Sequence, residues 1–167
     1  FVKRGLETSD EWIRTRTGIK TRHSVGDTKK GPADLAVSAT EKLLKKTNTS
    51  KEDIDFVIFA TSTPDYAIPG AGTIFQHKMG LDKTGVLDIR QGCSGFVYAL
   101  SVVNQYIKAG THTNVLVIGA EVQTTQLDYD DAGRGTAIIF GDGAAACLVS
   151  ATNDDRGILS THLHSDG

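Results

Sequence analysis

Apolar positions along the chain fall into short continuous runs that alternate with amphipathic stretches. Buried strands are predicted at residues 54–60, 85–89 and 114–119, because these runs are rich in β-branched and aliphatic side chains. Helices are predicted at 33–46 and 94–109, where apolar residues recur at helical spacing. Strands that are apolar on both faces and alternate with helices are typical of an α/β layered sheet with mostly parallel pairing.

A short helix is predicted near the start of the chain. The run Thr8-Ser9-Asp10-Glu11 matches a capping box in which Thr8 is the N-cap and Glu11 reaches back to it. The helix then continues through Trp12, and Gly18 can end it because glycine adopts the left-handed conformation of helix C-termini.

The last third of the chain is predicted to contain strands. The runs 136–140 and 144–151 flank the turn Gly141-Asp142-Gly143 and are expected to add an antiparallel edge. A further strand is predicted at 157–163. The glycines of 141–146 match a dinucleotide fingerprint by letter, but a strand-like run follows them where the fingerprint requires a helix. A tight turn is therefore the preferred interpretation.

Composition narrows the classes of protein that fit. The 167 residues, 39% hydrophobic and 23% charged, suit one soluble globular domain. The formal net charge of −2 gives no reason to expect nucleic-acid binding. No apolar run reaches the roughly 18 residues of a membrane span, and no secretory signal is visible. We expect a cytoplasmic protein without nucleic-acid or membrane partners.

The two cysteines have different surroundings. Cys147 lies in an apolar run and is interpreted as a small buried hydrophobic residue. Cys93 follows a predicted strand, begins a predicted helix and has the small neighbours Gly92 and Ser94. A thiol at a helix N-terminus lies at the positive end of the helix dipole, which favours the nucleophilic thiolate. From the residues alone, a catalytic Cys93 and a structural Cys93 both remain open.

A metal site is weakly suggested near the C-terminus. His162, His164 and Asp166 could face an ion together. Two histidines on a strand without further ligands are more often structural. No metal and no cofactor are therefore predicted.

Several segments together resemble β-ketoacyl-ACP synthase III, a branch of the thiolase-like superfamily. TSDEWI at 8–13 and TRTGI at 15–19 are similar to the N-terminal signature of that family, and DIRQGCSGF at 88–96 is similar to its nucleophile segment. Its later landmarks are matched, in order, by RGT at 134–136, FGDGA at 140–144 and STHLHSDG at 160–167.

The resemblance implies a fold in which two similar α/β halves pack as an αβαβα sandwich with a mostly parallel mixed sheet. Residues 1–167 are then expected to form the N-terminal half. The first strand of that half and the C-terminal catalytic half are expected to lie outside the chain. The catalytic His and Asn of the family belong to that second half, and none of the five histidines matches the catalytic one.

The resemblance also implies a reaction. Cys93 accepts an acyl group from acyl-CoA as a thioester, and malonyl-ACP then loses carbon dioxide and condenses with it. The product, a β-ketoacyl-ACP, initiates fatty-acid synthesis, and the enzyme is an acyltransferase for which acyl-CoA is a substrate. The fragment alone is expected to be inactive in condensation. A related condensing enzyme of specialised metabolism and a non-catalytic half-domain are the alternatives.

Five further residues take roles from the resemblance. Trp12 and Arg134 match residues that sandwich the CoA adenine, Arg16 matches one that meets the CoA phosphates, and Thr8 matches a nearby contact. Ile68 matches a residue that crosses a dimer interface and closes the acyl pocket of the partner, which implies a homodimer. Trp12 as a core anchor and the two arginines as solvated surface are the structural alternatives.

The segment before Cys93 departs from the family. Arg90-Gln91-Gly92 stands where many members carry small residues such as alanine. The bulky, charged Arg90 is expected either to alter the floor of the acyl pocket or to pair with a nearby acid. The preferred acyl chain is therefore left open.

Overall fold

The computed structural model describes residues 1–167 and contains one mixed sheet of four strands. The strands are β1 (Phe56–Ala60), β2 (Gly85–Ile89), β3 (Asn114–Val122) and β4 (Asp142–Ser150), in the spatial order β2-β1-β3-β4. The first three are parallel, and β4 pairs antiparallel with β3. The predicted α/β class and mostly parallel sheet are confirmed.

Helices cover both faces of this sheet. The helices are α1 (Asp10–Thr17), α2 (Pro32–Thr47), α3 (Ala71–Met79), α4 (Gly95–Lys108) and α5 (Arg134–Ala137). Helices α2 and α3 pack on one face and α4 packs on the other. No helix among residues 1–167 has the length and apolarity that crossing a bilayer requires.

The core lies between these layers and explains why the strands are apolar throughout. Successive side chains of a strand point to opposite faces. In β1, Phe59 faces α2 and α3 while Ile58 faces α4, and both are fully buried. Burying one such side chain contributes about 1.5–3 kcal/mol. The sheet therefore provides a firm base for the loops at its edges.

The ends of α1 correct one prediction and confirm another. Ser9, and not Thr8, is the N-cap, because its hydroxyl accepts the Trp12 N–H at 3.0 Å. Thr8 instead donates its own N–H to the Leu6 carbonyl at 2.9 Å, and so belongs to the preceding turn. Gly18 ends the helix with a φ of 72°, as predicted.

Two strands predicted in the last third of the chain are wrong. Residues 136 and 137 end the short helix α5, in which the N–H groups of Thr136 and Ala137 donate to the Gly133 carbonyl, and residues 138–139 continue it as a turn. Burial of Ala137 and Ile138 in this turn overrides their strand propensity. Residues 151–167 form no helix or strand. The predicted antiparallel edge strand exists as β4, but it pairs with β3 and not with residues 136–140.

The end of segment 151–167 is joined to α4 by hydrogen bonds from side chains of that helix. The hydroxyl of Ser101 donates to the Thr161 hydroxyl at 3.2 Å. The Tyr98 hydroxyl donates to the His164 carbonyl at 3.3 Å. These side-chain hydrogen bonds from α4 stand where the predicted strand would have formed backbone hydrogen bonds with a neighbouring strand.

Candidate active site

Cys93 lies on a tight turn between β2 and α4. Residues Gly92–Ser94 form one 3₁₀ turn, in which Gly92 has a φ of 54° that strongly favours glycine. The Ser94 hydroxyl donates to the Gln91 carbonyl at 2.8 Å. The Cys93 thiol is free and exposed, directly before the 14-residue helix α4. This is the strand–turn–helix placement that the sequence predicts for a nucleophile.

The turn is packed onto the end of the neighbouring strand. A Cβ added to Gly95 would lie 3.3 Å from the Cβ of Ala60, so a larger residue would push α4 away from β1. The Thr61 N–H donates to the Ile89 carbonyl at 3.1 Å and joins the ends of β1 and β2. Cys93 is therefore held at the carboxyl edge of the parallel strands, where open α/β sheets bind ligands.

A carboxylate that the sequence analysis missed joins β3 to the same edge. Glu121 accepts the Ser62 N–H at 2.7 Å and the Thr63 hydroxyl at 2.6 Å. The Thr63 hydroxyl in turn accepts the Val122 N–H at 2.9 Å. The available signal was an acid at the end of a buried apolar run, together with the hydroxyl-rich stretch Thr61–Thr63 after β1.

Trp12, Arg16 and Arg134 come together although they lie on two separate segments. The guanidinium carbon of Arg16 lies 4.3 Å from the Trp12 ring centroid, and that of Arg134 lies 5.7 Å from it. Both distances are within the range of cation–π attraction. Ile13 is the fully buried residue of α1, whereas Trp12 is only partly buried, which disfavours the interpretation of Trp12 as a core anchor.

Arg134 is held by the N-terminal segment on one side and by its own loop on the other. Its guanidinium donates to the Glu7 carbonyl, and the Glu7 N–H donates to Asp131 at 2.8 Å. A Cβ at Gly133 would lie 2.2 Å from the Asp128 carbonyl oxygen, so only glycine fits there. The loop thus positions the Arg134 guanidinium beside the Trp12 ring.

The space between Arg134 and Trp12 is closed to a planar ring. Contact distances of about 3.5 Å on each side would require about 7 Å between the two groups. The observed distance is 5.7 Å. A base enters this stack only when Arg134 moves outward by about 1 Å.

Asp142 ties the N-terminal segment to the sheet. Its carboxylate accepts the Val25 N–H at 2.7 Å, and the N–H and hydroxyl of Thr124 at 2.8 and 2.6 Å. Burial alone would raise the pKa of Asp142, but the hydrogen bonds from Thr124 and Val25 outweigh it and hold this pKa below its ordinary value. Strand β4 begins at Asp142, and Gly143 pairs with Glu121 inside it, so the turn predicted at Gly141-Asp142-Gly143 is wrong. A strand follows these glycines where a dinucleotide fingerprint requires a helix.

Thr8 and Ile68 differ in their surroundings. Thr8 lines a cleft of about 600 Å³ between the N-terminal segment and residues 124–140. Its hydroxyl oxygen is buried without a hydrogen-bond partner. Ile68 lies on the loop between β1 and α3 and is 90% exposed.

The remaining candidates are Arg90, Cys147 and the C-terminal histidines. Arg90 is exposed and forms no ion pair, so the pairing expected for it is absent. Cys147 is half-buried on the face that carries α4, and burial raises the pKa of its thiol. His162 and His164 are exposed, and no group of three or more His, Cys, Asp or Glu is arranged to hold a metal.

Comparison with known proteins decides the family. Residues 87–167 match the family described as 3-oxoacyl-[acyl-carrier-protein (ACP)] synthase III. The β-ketoacyl-[acyl-carrier-protein] synthase III of Ehrlichia canis is 49% identical over 163 residues, which are 97% of this chain and 50% of that relative. The chain belongs to the β-ketoacyl-ACP synthase III family. It spans about half the length of the relatives it matches.

Solved structures of this family share the fold. The 3-oxoacyl-[acyl-carrier-protein] synthase III of Aquifex aeolicus superposes with a TM-score of 0.84 at 38% identity, covering 92% of this chain and 48% of that one. The priming β-ketosynthase of the R1128 polyketide pathway superposes with a TM-score of 0.81 at 30% identity, covering 89% and 44%. The predicted thiolase-like fold is confirmed.

Proposed function

We propose that this chain carries the acyl-accepting part of a β-ketoacyl-ACP synthase III that initiates fatty-acid synthesis, with Cys93 as the nucleophile. The observation that carries the proposal is the exposed Cys93 thiol on the turn between β2 and α4. Family membership supports the reaction class.

The first step is a thioester exchange. The Cys93 sulfur attacks the carbonyl carbon of acyl-CoA, the bond from that carbon to the CoA sulfur breaks, and the CoA thiolate leaves with the proton of the Cys93 thiol. Trp12 and Arg134 hold the adenine, Arg16 meets the phosphates and Thr8 makes a nearby contact. The cation–π stack supports this assignment, because a guanidinium and an indole both stack on a base.

The second step is decarboxylative condensation. Malonyl-ACP loses carbon dioxide, the resulting carbanion attacks the acyl carbon on Cys93, and the Cys93 thiolate leaves as the β-ketoacyl-ACP forms. We assign the His and Asn of this step to residues outside 1–167, since the chain spans about half of its relatives. Residues 1–167 alone are expected to stop at the acyl-enzyme. The working enzyme is proposed to be a homodimer in which Ile68 closes the acyl pocket of the partner.

Acylation of Cys93 tests this function directly. After incubation with acetyl-CoA, intact-mass measurement is expected to show one acetyl adduct. The adduct should disappear in Cys93→Ala and persist in the matched control Cys147→Ala, since Cys147 is half-buried. A full-length protein without any adduct would contradict the proposal.

A condensing enzyme of specialised metabolism is the second candidate. The similarity to a priming ketosynthase of a polyketide pathway favours it, as does Arg90 three residues before Cys93. Rates of Cys93 acylation with acyl-CoAs of increasing length distinguish the two, because a fatty-acid initiator is expected to prefer the shortest chains. A non-catalytic half-domain would be acylated by none of them.

A further inference from the structure

Arg90 carries a charge that no other residue of the chain neutralises. It is exposed, and its guanidinium forms no ion pair and no contact with an aromatic ring. Of the seven arginines, the other six each have such a partner, and they are Arg4, Arg14, Arg16, Arg22, Arg134 and Arg156. An unpaired arginine on an open surface is ordinary, so the place of Arg90 in the fold decides what it means.

Arg90 lies at the same edge of the sheet as Cys93. It directly follows Ile89, the last residue of β2, whose carbonyl accepts the Thr61 N–H at 3.1 Å. Two residues separate Arg90 from Cys93, so the Cα atoms of the two residues lie within about 11 Å of each other. The exposed thiol and the exposed guanidinium are therefore carried by one short connection between β2 and α4.

The acids of the adjoining strands are held by other donors. Asp88, two residues before Arg90, accepts the Gly72 N–H at 2.9 Å. Glu121, at the corresponding end of β3, accepts the Thr63 hydroxyl at 2.6 Å. Neither carboxylate forms an ion pair. The positive charge of Arg90 is thus available to a ligand that reaches this edge.

We propose that Arg90 is a specificity-determining residue that selects acyl-CoA substrates whose acyl group ends in a carboxylate. The proposal rests on the proposed function, in which Cys93 accepts the acyl group. The Cys93 sulfur attacks the thioester carbonyl carbon, and the CoA thiolate leaves with the proton of the thiol. The carboxylate at the far end of the acyl group takes no part in this exchange and pairs with the Arg90 guanidinium.

The physical reason for this choice is the chemistry of the guanidinium. Its planar fork binds a carboxylate through two parallel hydrogen bonds, which a point charge such as lysine cannot reproduce. An apolar acyl end of the same length would instead displace water from an unpaired cation, which costs free energy. After condensation, the β-ketoacyl-ACP would carry the carboxylate at the far end of its chain.

The test compares acylation of Cys93 in the full-length protein by glutaryl-CoA and pentanoyl-CoA. Their acyl groups have the same number of carbons, and only the first ends in a carboxylate. Each rate is divided by the rate with acetyl-CoA in the same protein, which corrects for differences in folding. The glutaryl-to-pentanoyl ratio is expected to be above one and to fall by about fivefold in Arg90→Ala, the upper value for an ion pair that stays open to water.

Three comparisons assign the effect to the charge of Arg90. Arg14→Ala is the matched control, since Arg14 is an exposed arginine that is paired with Asp10, and its ratio should stay unchanged. Arg90→Lys should keep part of the preference, and Arg90→Glu should lower the ratio below that of Arg90→Ala. Added salt should lower the ratio in the unsubstituted protein and leave it unchanged in Arg90→Ala, because salt screens an exposed pair of charges.

The outcomes distinguish the inference from the function on which it rests. Where acetyl-CoA acylates Cys93, a ratio below one in the unsubstituted protein, or an unchanged ratio in Arg90→Ala, overturns the role of Arg90 alone. An equal fall of the ratio in Arg14→Ala overturns it as well. Absence of acylation by all three acyl-CoAs in the unsubstituted protein overturns the proposed function and the inference together.

Discussion

The two regions that carry the proposed chemistry are stabilised in different ways. Cys93 follows a strand that pairs with β1, in which Val57, Ile58 and Phe59 are fully buried. Trp12 lies in the N-terminal segment, residues 1–28, where only Leu6 and Ile13 are buried. Apolar burial on both faces is cooperative, whereas a few surface hydrogen bonds open locally.

The N-terminal segment is held to the rest mainly by polar contacts. The Arg22 guanidinium donates to the Ile138 carbonyl at 2.7 Å, and the Val25 N–H donates to Asp142 at 2.7 Å. Each contact can break without disturbing the sheet. The difference teaches that the proposed nucleophile lies on a rigid sheet, whereas Trp12, proposed to bind the adenine with Arg134, lies on a segment that can open locally.

The largest expected effect comes from removing a core side chain. Phe59→Ala should lower the free energy of unfolding by about 3–5 kcal/mol, because it leaves a cavity between the sheet and α3. Urea denaturation followed by circular dichroism measures this. Leu159→Ala is the control, since Leu159 is 84% exposed, and its change should stay within about 0.5 kcal/mol. Equal losses in both variants would show that the sheet is not the rigid region.

A smaller effect is expected from loosening the N-terminal segment. Asp142→Asn should lower the free energy of unfolding by about 1–3 kcal/mol, because an amide NH₂ would face the Val25 N–H and leave a donor unpaired. Hydrogen exchange should accelerate at Val25 and Thr124 and stay unchanged in β1. Faster exchange throughout the sheet would contradict separate stabilisation of the two regions.

The effect of Asp142→Asn should also depend on pH. The pKa of Asp142 in the folded protein lies below its ordinary value because its hydrogen bonds outweigh burial. Its contribution to stability is therefore complete above the ordinary aspartate pKa of about 3.8 and is lost as the pH falls through the folded value. The difference between the two proteins in urea unfolding should be constant from about pH 5 to 7 and shrink below about pH 4. A difference that grows on acidification would contradict this.

The buried hydroxyl of Thr40 offers a substitution that should raise, rather than lower, the free energy of unfolding. Thr40 on α2 is fully buried, and its hydroxyl has no hydrogen-bond partner. Thr40→Val should raise the free energy of unfolding by about 1 kcal/mol, because valine removes the unsatisfied hydroxyl at similar volume. Thermal denaturation measures the gain. The matched control Thr47→Val loses a hydroxyl that donates to the Leu43 carbonyl, and a gain of equal size there would contradict the explanation.

The smallest effect on stability, with a large effect on binding, is expected at Trp12. Trp12→Ala should lower the free energy of unfolding by no more than about 1 kcal/mol, since the side chain is only partly buried and packs on Arg16. Affinity for CoA in calorimetry should fall about tenfold or more, because stacking on a base is worth about 1–3 kcal/mol. Arg14→Ala on the same helix is the control, and equal affinity in both variants would remove Trp12 from the site.

Local signals predicted the elements that local forces decide. The observed bounds of β2 and the C-cap at Gly18 agree with those predicted from the sequence. An apolar run and a glycine affect only the few residues around them, so a local pattern is enough to predict them. The turn at Cys93 agrees for the same reason. The predictions failed at Thr8, where the adjacent Ser9 competes for the cap, and at 136–140, where burial against the N-terminal segment favours a helical turn.

The sequence by itself determined the order of strands and helices from α1 to β3, the turn that carries Cys93 and the residue types able to stack on a base. Only the tertiary structure decided that Arg134 reaches Trp12, which lies 122 positions earlier in the chain. It also decided that Glu121 and Asp142 fasten loops far away in sequence. Periodicity reports which face of an element is buried, but hydrogen bonds between distant segments depend on how the chain folds back on itself, and no local pattern contains that information.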